Sequence, residues 1–332
     1  MTIISKDIFK AVEILNHEGV VAITTETVYG LAGNIYRKKA IYKIFEIKRR
    51  PFFNPLIVHI KSLEQLDELA KDIPAKARLL AETFLPGSLT LVLKKQSNVP
   101  DLVTAGKDTV AIRIPNHPTA LALLEKLNFP LAAPSANPFG CISPTNALHV
   151  AEYFDYKLPM VLDGGACENG IESTIIGFEN SEPVCYRMGS VCVEEIENLI
   201  GQISIKNKMG NTPHAPGMLS KHYAPVTPTF LAIDVAQFIR SFPDKKIGLV
   251  LFRKKIIVAT VHHQEVLSGK GDLKEAASQL YAALHRLDKL NLDMIVAERF
   301  PDSGLGKSIN DKLERASYIN SSTLNKNVKL NE

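Results

Sequence analysis

Lys48-Arg49-Arg50 runs directly into Pro51-Phe52-Phe53-Asn54-Pro55-Leu56. From Thr27 to Ile60 the single acid is Glu46, set against Arg37, Lys38, Lys39, Lys43, Lys48, Arg49 and Arg50. Cations at a helix C-terminus complement the helix dipole, so a capped, solvated helix end accounts for the trio on charge alone. The two prolines and the amide that follow stiffen the chain straight after the charges. A rigid, cation-rich loop leading into a strand suits a polyphosphate better than it suits bare solubility.

Three further segments carry candidate chemistry. Thr24-Thr25-Glu26-Thr27-Val28-Tyr29-Gly30 is dense in hydroxyls that can orient a small polar ligand, although threonines are also common at strand ends. Arg113 lies in the apolar run Ala111-Ile112-Arg113-Ile114-Pro115, where a guanidinium is costly unless paired. Its partner is either a ligand carboxylate, which matches the guanidinium fork, or an internal Asp or Glu. Ser135-Ala136-Asn137, with Ser143-Pro144-Thr145 downstream, offers hydroxyls and loop amides for a phosphate, or forms an ordinary Asx or Ser turn.

Other chemistries lose support. Cys141, Cys167, Cys185 and Cys192 include no C-x-x-C pair, so zinc or dithiol chemistry is not expected, and idle thiols in a reducing compartment are. Gly304-Leu305-Gly306-Lys307-Ser308 imitates a P-loop, but Pro301 stands where that motif needs its first glycine. There is no H-E-x-x-H, G-x-S-x-G or G-x-G-x-x-G. The net charge of +4 fits an anionic substrate and is too small to point to nucleic acid. The N-terminus lacks a signal-peptide core and no apolar run is long enough to span a bilayer, so the expected location is cytoplasmic with no membrane partner.

The elements that must hold these residues follow from periodicity. Strands are expected over 19–24, 55–60, 88–93, 109–114, 130–133, 173–178 and 184–187, with helices over 39–50 and 193–201. On the first helix Ile41, Ile44, Phe45 and Lys48 share one stripe. Residues 206–228 hold Pro213, Pro216, Pro225 and Pro228 and no acid, which reads as a linker. Beyond it, strands at 230–233, 247–252, 256–261 and 294–297 alternate with helices from Val235, over 272–290 and over 307–317. That alternation predicts a small, mainly parallel α/β domain.

Seven blocks together resemble the YrdC-like threonylcarbamoyl-AMP synthases. They are Thr25-Glu26-Thr27-Val28-Tyr29-Gly30-Leu31; Lys48-Arg49-Arg50-Pro51 with Asn54-Pro55-Leu56-Ile57-Val58-His59; Thr109 to Pro115; Pro134-Ser135-Ala136-Asn137; Ser143-Pro144-Thr145; Glu172-Ser173-Thr174-Ile175; and Arg187-Met188-Gly189. Pro216-Gly217-Met218, His222-Tyr223-Ala224-Pro225 and the tail from Gly304 to Ala316 are similar to the long, two-domain form. Thr24 departs from the family's usual proline before Thr-Glu, which touches loop geometry more than chemistry.

The resemblance implies an α/β fold: a YrdC-like twisted mixed sheet with helices forming a concave basic site (1–203), a proline-rich linker closing over it (204–228), and a smaller Rossmann-like α/β domain (229–332). It implies condensation of L-threonine, bicarbonate and ATP to threonylcarbamoyl-AMP and pyrophosphate, the adenylate passing to a separate tRNA threonylcarbamoyl-transferase complex. Lys48 and Arg50 become the catalytic pair. The ATP contacts would be Lys48, Arg50, Asn54, Thr109, Ser135, Asn137, Ser143, Arg187 and, from the linker, His222 or Tyr223. Threonine would be held by Thr27, Tyr29, His59, Arg113, Ser173 and the backbone of Ala133. Mg²⁺ would accompany ATP with no protein ligand assigned. The rivals are an RNA-binding YrdC-like module with weak tRNA binding and no synthase activity, a carbamoyl-transfer enzyme of hydrogenase maturation, whose zinc-finger cysteines are missing here, and an inactive paralogue.

Overall fold

The computed structural model describes residues 2–207, 222–258 and 261–327, with side chains as far as residue 317. The chain divides into two compact units, residues 1–139 with 143–219, and residues 140–142 with 220–332. Most of the expected linker, including Pro213 and Pro216, lies outside the described residues.

The first unit is built on one mixed sheet of eleven strands. Across it the order is Ile3–Ser5, Met160–Leu162, Val21–Ile23, Gly30–Asn34, Leu131–Ala132, Ile57–His59, Thr109–Arg113, Leu89–Lys94, Thr174–Glu179, Glu182–Arg187 and Ser204–Ile205. Successive side chains on a strand point to opposite faces. Thus Val20 and Ala22 join one apolar cluster while Val21 and Ile23 join another, which is why this stretch is apolar without alternation. The larger cluster takes in the helices Lys38–Lys48, Ala75–Phe84, Ala147–Phe154 and Val193–Ile200.

At the other half of the sheet the opposite face behaves differently. Ile57, Val92, Ala111, Ile175, Val184 and Tyr186 form a small cluster of strand residues alone. The register Ile57↔Ala111, Ala111↔Val92 and Val92↔Gly177 sets them side by side. This makes an apolar floor with no helix in the cluster.

The second unit is a four-stranded, all-parallel sheet ordered Thr229–Ala232, Met294–Glu298, Ile247–Leu251, Val261–Val266. Helices Val235–Arg240, Leu273–Asp288 and Leu305–Asn327 alternate with the strands, as expected from the pattern. Asp272 caps the long helix by accepting from the N–H groups of Lys274 and Glu275.

Local details correct the sequence. The strand expected over 256–261 instead runs Val261–Val266. Ile257 is fully exposed, so the apolar run is not the one that pairs. The half-polar Val-His-His-Gln-Glu-Val segment suffices at a sheet edge, where one side of the strand meets solvent. Gly30–Asn34 is an unexpected strand, because two glycines hide its signal. At Gly30 the neighbouring chain comes close: a Cβ there would stand 3.2 Å from that of Ala133, tighter than an ordinary contact. The helix expected over 39–50 ends at Lys48, because Arg49 adopts the left-handed conformation (φ 52°).

Candidate active site

The helix end sorts the three cations. Ile41, Ile44, Phe45 and Lys48 are all buried, as their 3.6-residue stripe predicts. Lys48 is only 1% exposed, and its ammonium donates to the carbonyl oxygens of Ser135 and Asn137, both at 2.5 Å. The left-handed turn leaves Arg49 outside and folds Arg50 back in. Arg50 then donates to Asn54 O (3.1 Å), Asn54 Oδ1 (2.7 Å) and Pro55 O (2.7 Å). The loop after the cations is thus locked by Arg50 itself as well as by its prolines. Asn54 is fully buried, and its Nδ2 finds no hydrogen-bond partner among the described residues.

The Ser135-Ala136-Asn137 loop is tied to both neighbours. Leu31 N donates to Pro134 O (2.7 Å), Ala136 N to Tyr29 O (2.7 Å) and Phe139 N to Lys48 O (2.8 Å). Tyr29 N donates to Pro144 O (2.9 Å), which holds the Ser143-Pro144-Thr145 segment to the same knot. Ala133 N donates to Ile57 O (2.9 Å). Asn54, Ser135, Lys48 and Arg50 therefore collect where strand Ile57–His59 begins. Thr109 opens the neighbouring parallel strand at the same end, half-buried.

A second polar group sits where those strands finish, about 13 Å away at ~3.3 Å per residue. His59 pairs in register with Arg113. Arg113 is 3% exposed, and its guanidinium donates to Gly87 O (3.1 Å), Thr27 Oγ1 (2.8 Å) and Glu26 Oε1 (2.5 Å). So the internal acid left open by the sequence exists, and it is Glu26. Burial raises the Glu26 pKa, but the Arg113 charge and the hydrogen bonds outweigh it and hold the carboxyl below its usual range. Burial, with Arg113 beside it, drives His59 down to about 3, so the imidazole is neutral, and its Nδ1 has no partner among the described residues. Burial pushes the Tyr29 phenol up, leaving it protonated to donate its one O–H to either Gly165 O (2.7 Å) or Asp163 Oδ1 (3.0 Å).

Ser173 joins this end. Its hydroxyl bonds Thr90 Oγ1 (2.7 Å) and accepts from Arg187 (3.0 Å). A bulge between Cys185 and Arg187 sets Arg187 opposite Ile175, on the floor's side of the sheet. Ser143 donates to Glu172 (2.5 Å), next in sequence to Ser173. The expected ATP contacts Ser143 and Arg187 thus also reach the segment of the expected threonine contact Ser173. His222 and Tyr223 belong to the second unit, where Tyr223 is buried, stacks on Tyr281 at 5.7 Å and has the Lys312 ammonium 5.2 Å from its ring centroid. Glu26 and Glu172 had no assigned role in the sequence. Glu26 was findable, being the only acid between Glu18 and Glu46.

An apolar floor, cations and an amide at one end, and a paired Arg with neutral His and hydroxyls at the other make a site for a ligand with two polar ends. Among the described residues no three His, Cys, Asp or Glu side chains cluster as a metal site. No described helix is long and apolar enough to cross a membrane.

A family model described as "Telomere recombination" (Sua5, YciO, YrdC) matches residues 13–189, and one described as "Threonylcarbamoyl-AMP synthase, C-terminal domain" matches residues 191–317. The threonylcarbamoyl-AMP synthase of Pyrococcus abyssi is 42% identical over 311 residues, covering 90% of each chain. That of Bacillus subtilis is 39% identical over 319 residues, covering 93% of this chain and 92% of its own. A crystal structure of P. abyssi Sua5 complexed with L-threonine is similar with a TM-score of 0.87 and 39% identity, over 96% of this chain and 98% of that one. On these matches the chain belongs to the Sua5/YciO/YrdC family, in the two-domain form that carries the threonylcarbamoyl-AMP synthase C-terminal domain.

Proposed function

We propose that this chain is an L-threonylcarbamoyladenylate synthase, a nucleotidyltransferase that joins L-threonine, bicarbonate and ATP and releases pyrophosphate. The observation that carries this reading is a pair of polar groups at the two ends of the paired strands Ile57–His59 and Thr109–Arg113, with Lys48 and Arg50 near one end and Arg113 at the other. Relatives named for this reaction and covering nine-tenths of the chain support it.

The threonine amine adds to bicarbonate with loss of water, giving a carbamate. A carbamate oxygen then attacks the α-phosphorus of ATP, and the bond to the β-phosphate breaks. Neither step requires a covalent enzyme intermediate, so positioning and charge neutralisation carry the catalysis. Arg113 has five N–H donors and three are taken, leaving two for the threonine carboxylate. Thr27, Tyr29, Ser173, neutral His59 and the Ala133 backbone would frame the rest of the amino acid. Lys48 and Arg50 would hold the departing pyrophosphate, with Asn54 Nδ2, Thr109, Ser135 and Asn137 as further donors. Ser143 and Arg187, beside Ser173, would sit where the carbamate meets the α-phosphate.

The cations, amides and hydroxyls of this site complement phosphate oxygens, so Mg²⁺ fits as the companion of ATP rather than as a protein-held ion. When bound with ATP it neutralises phosphate charge. The adenylate would pass to a tRNA threonylcarbamoyl-transferase complex, and any direct contact with tRNA would be weak.

The test is incubation with ATP, bicarbonate and labelled threonine. Threonylcarbamoyl-AMP and pyrophosphate should form together, and omission of bicarbonate should abolish both. Salt-dependent tRNA binding with no threonine-dependent ATP turnover would sink the synthase in favour of an RNA-binding module.

A further inference from the structure

We propose that Glu26 is the positioning residue that aims Arg113 at the substrate carboxylate. The inference rests on the synthase reading above for the identity of the amino acid.

Glu26 and Arg113 lie 87 residues apart in sequence, yet form an ion pair in which both side chains are no more than 5% exposed. Glu26 is itself fixed on every side. Ser88 Oγ donates to Oε1 (3.0 Å), Asn116 N to Oε2 (3.0 Å), and Asn169 N to the Glu26 carbonyl (2.8 Å). Asn169 Nδ2 in turn donates to Ser88 Oγ (2.7 Å). The guanidinium is therefore held at three nitrogens: Nε by Gly87 O, one terminal nitrogen by Thr27 and the other by Glu26. One N–H remains on each terminal nitrogen, and such a pair matches a carboxylate in a bidentate fork. Without Glu26 the guanidinium could turn about its long stem and lose that aim. Glu26 also cancels the Arg113 charge, so selection at this end comes from geometry rather than from attraction of any anion.

The experiment uses the full chain with Glu26→Gln, Ser88→Ala, Arg113→Lys and the Glu26→Gln/Arg113→Lys double variant. Threonine binding is measured by calorimetry, KM for threonine and for ATP by product formation, and folding by thermal melts. Glu26→Gln should weaken threonine binding and raise its KM about tenfold to a hundredfold, the worth of one charge-assisted contact, while the ATP KM stays within about twofold. Ser88→Ala should move the threonine KM the same way by less. The double variant should bind threonine no worse than Arg113→Lys alone, because Glu26 acts only through Arg113. Unchanged threonine binding in folded Glu26→Gln, equal losses for ATP and threonine, or full additivity in the double variant would each overturn the proposal. If Glu26→Gln does not fold, Ser88→Ala decides, and an unchanged threonine KM there overturns it. A wild-type protein that binds threonine but makes no adenylate would defeat the synthase reading while calorimetry still judges Glu26.

Discussion

Arg50→Ala separates two roles that one side chain combines. Arg50 is 6% exposed and, among the described residues, donates to Asn54 O, Asn54 Oδ1 and Pro55 O of its own following loop. A charge-assisted hydrogen bond contributes about 1.5–3 kcal/mol. Three on one guanidinium do not add, because burying the charge opposes them and water would enter a cavity lined by three acceptors. The net loss should equal one to two contacts, about 2–4 kcal/mol. In a domain of this size that lowers Tm by about 4–16 °C. If Arg50 also holds the departing pyrophosphate, kcat/KM for adenylate formation should fall a further ~10- to 150-fold at a temperature well below the variant's Tm. Arg50→Lys keeps the charge but not the fork, and should fall between wild type and Arg50→Ala in both measurements. An unchanged melt would refute the loop lock. Wild-type synthesis by folded Arg50→Ala would refute the phosphate role, and activity fully restored by cooling would leave Arg50 a structural part only.

Three further perturbations have defined outcomes. His59 carries a folded pKa of about 3 against 6.5 unfolded, so between those values the unfolded chain takes up a proton that the native state refuses. Stability should fall as pH falls through that window by up to about 1.4 kcal/mol per unit, and His59→Gln should flatten that slope in acid unfolding curves; an unaltered slope would refute the neutral, buried imidazole. Glu26, held below its ordinary range, contributes its own loss only at lower pH, below about 4.5. Arg49→Gly should keep adenylate synthesis and gain about 0.5–1 kcal/mol, since Arg49 is exposed in a left-handed conformation that glycine adopts freely; loss of activity would give Arg49 a role at the site. In the second unit, Asp311 is 2% exposed and pairs with both Lys312 and Arg315. Asp311→Asn should cost about 3 kcal/mol or more, read as a lower Tm, and a melt unchanged within error would show that these cations do not depend on it.

Much of the site was legible before any fold was known, and the gaps have specific causes. The stripe at Ile41, Ile44, Phe45 and Lys48 placed Lys48 on the buried side, and the structure puts it there. Arg49, between the two cations expected to act, is exposed. Arg113 was seen to need a partner, but not which one, because Glu26 reaches it only through strand pairing across the sheet. Arg187 was visible as a residue and invisible as a position, since its direction depends on the bulge after Cys185. The strand Val261–Val266 was missed in favour of a more apolar neighbour because edge strands need only half a buried face.

The amino-acid sequence by itself determined the strand–helix alternation of the parallel C-terminal region and the stripe that turns Lys48 inward at the end of the first long helix. These follow from residues a few places apart, where helical period and backbone preference act locally. Only the tertiary structure decided which polar groups face one another across the sheet: Glu26 with Arg113, Lys48 with the Ser135 and Asn137 carbonyls, Ser143 with Glu172. Those choices depend on segments far apart in the chain being brought together, and for Arg113, the strand residue among them, a register shift of one would turn the side chain to the other face.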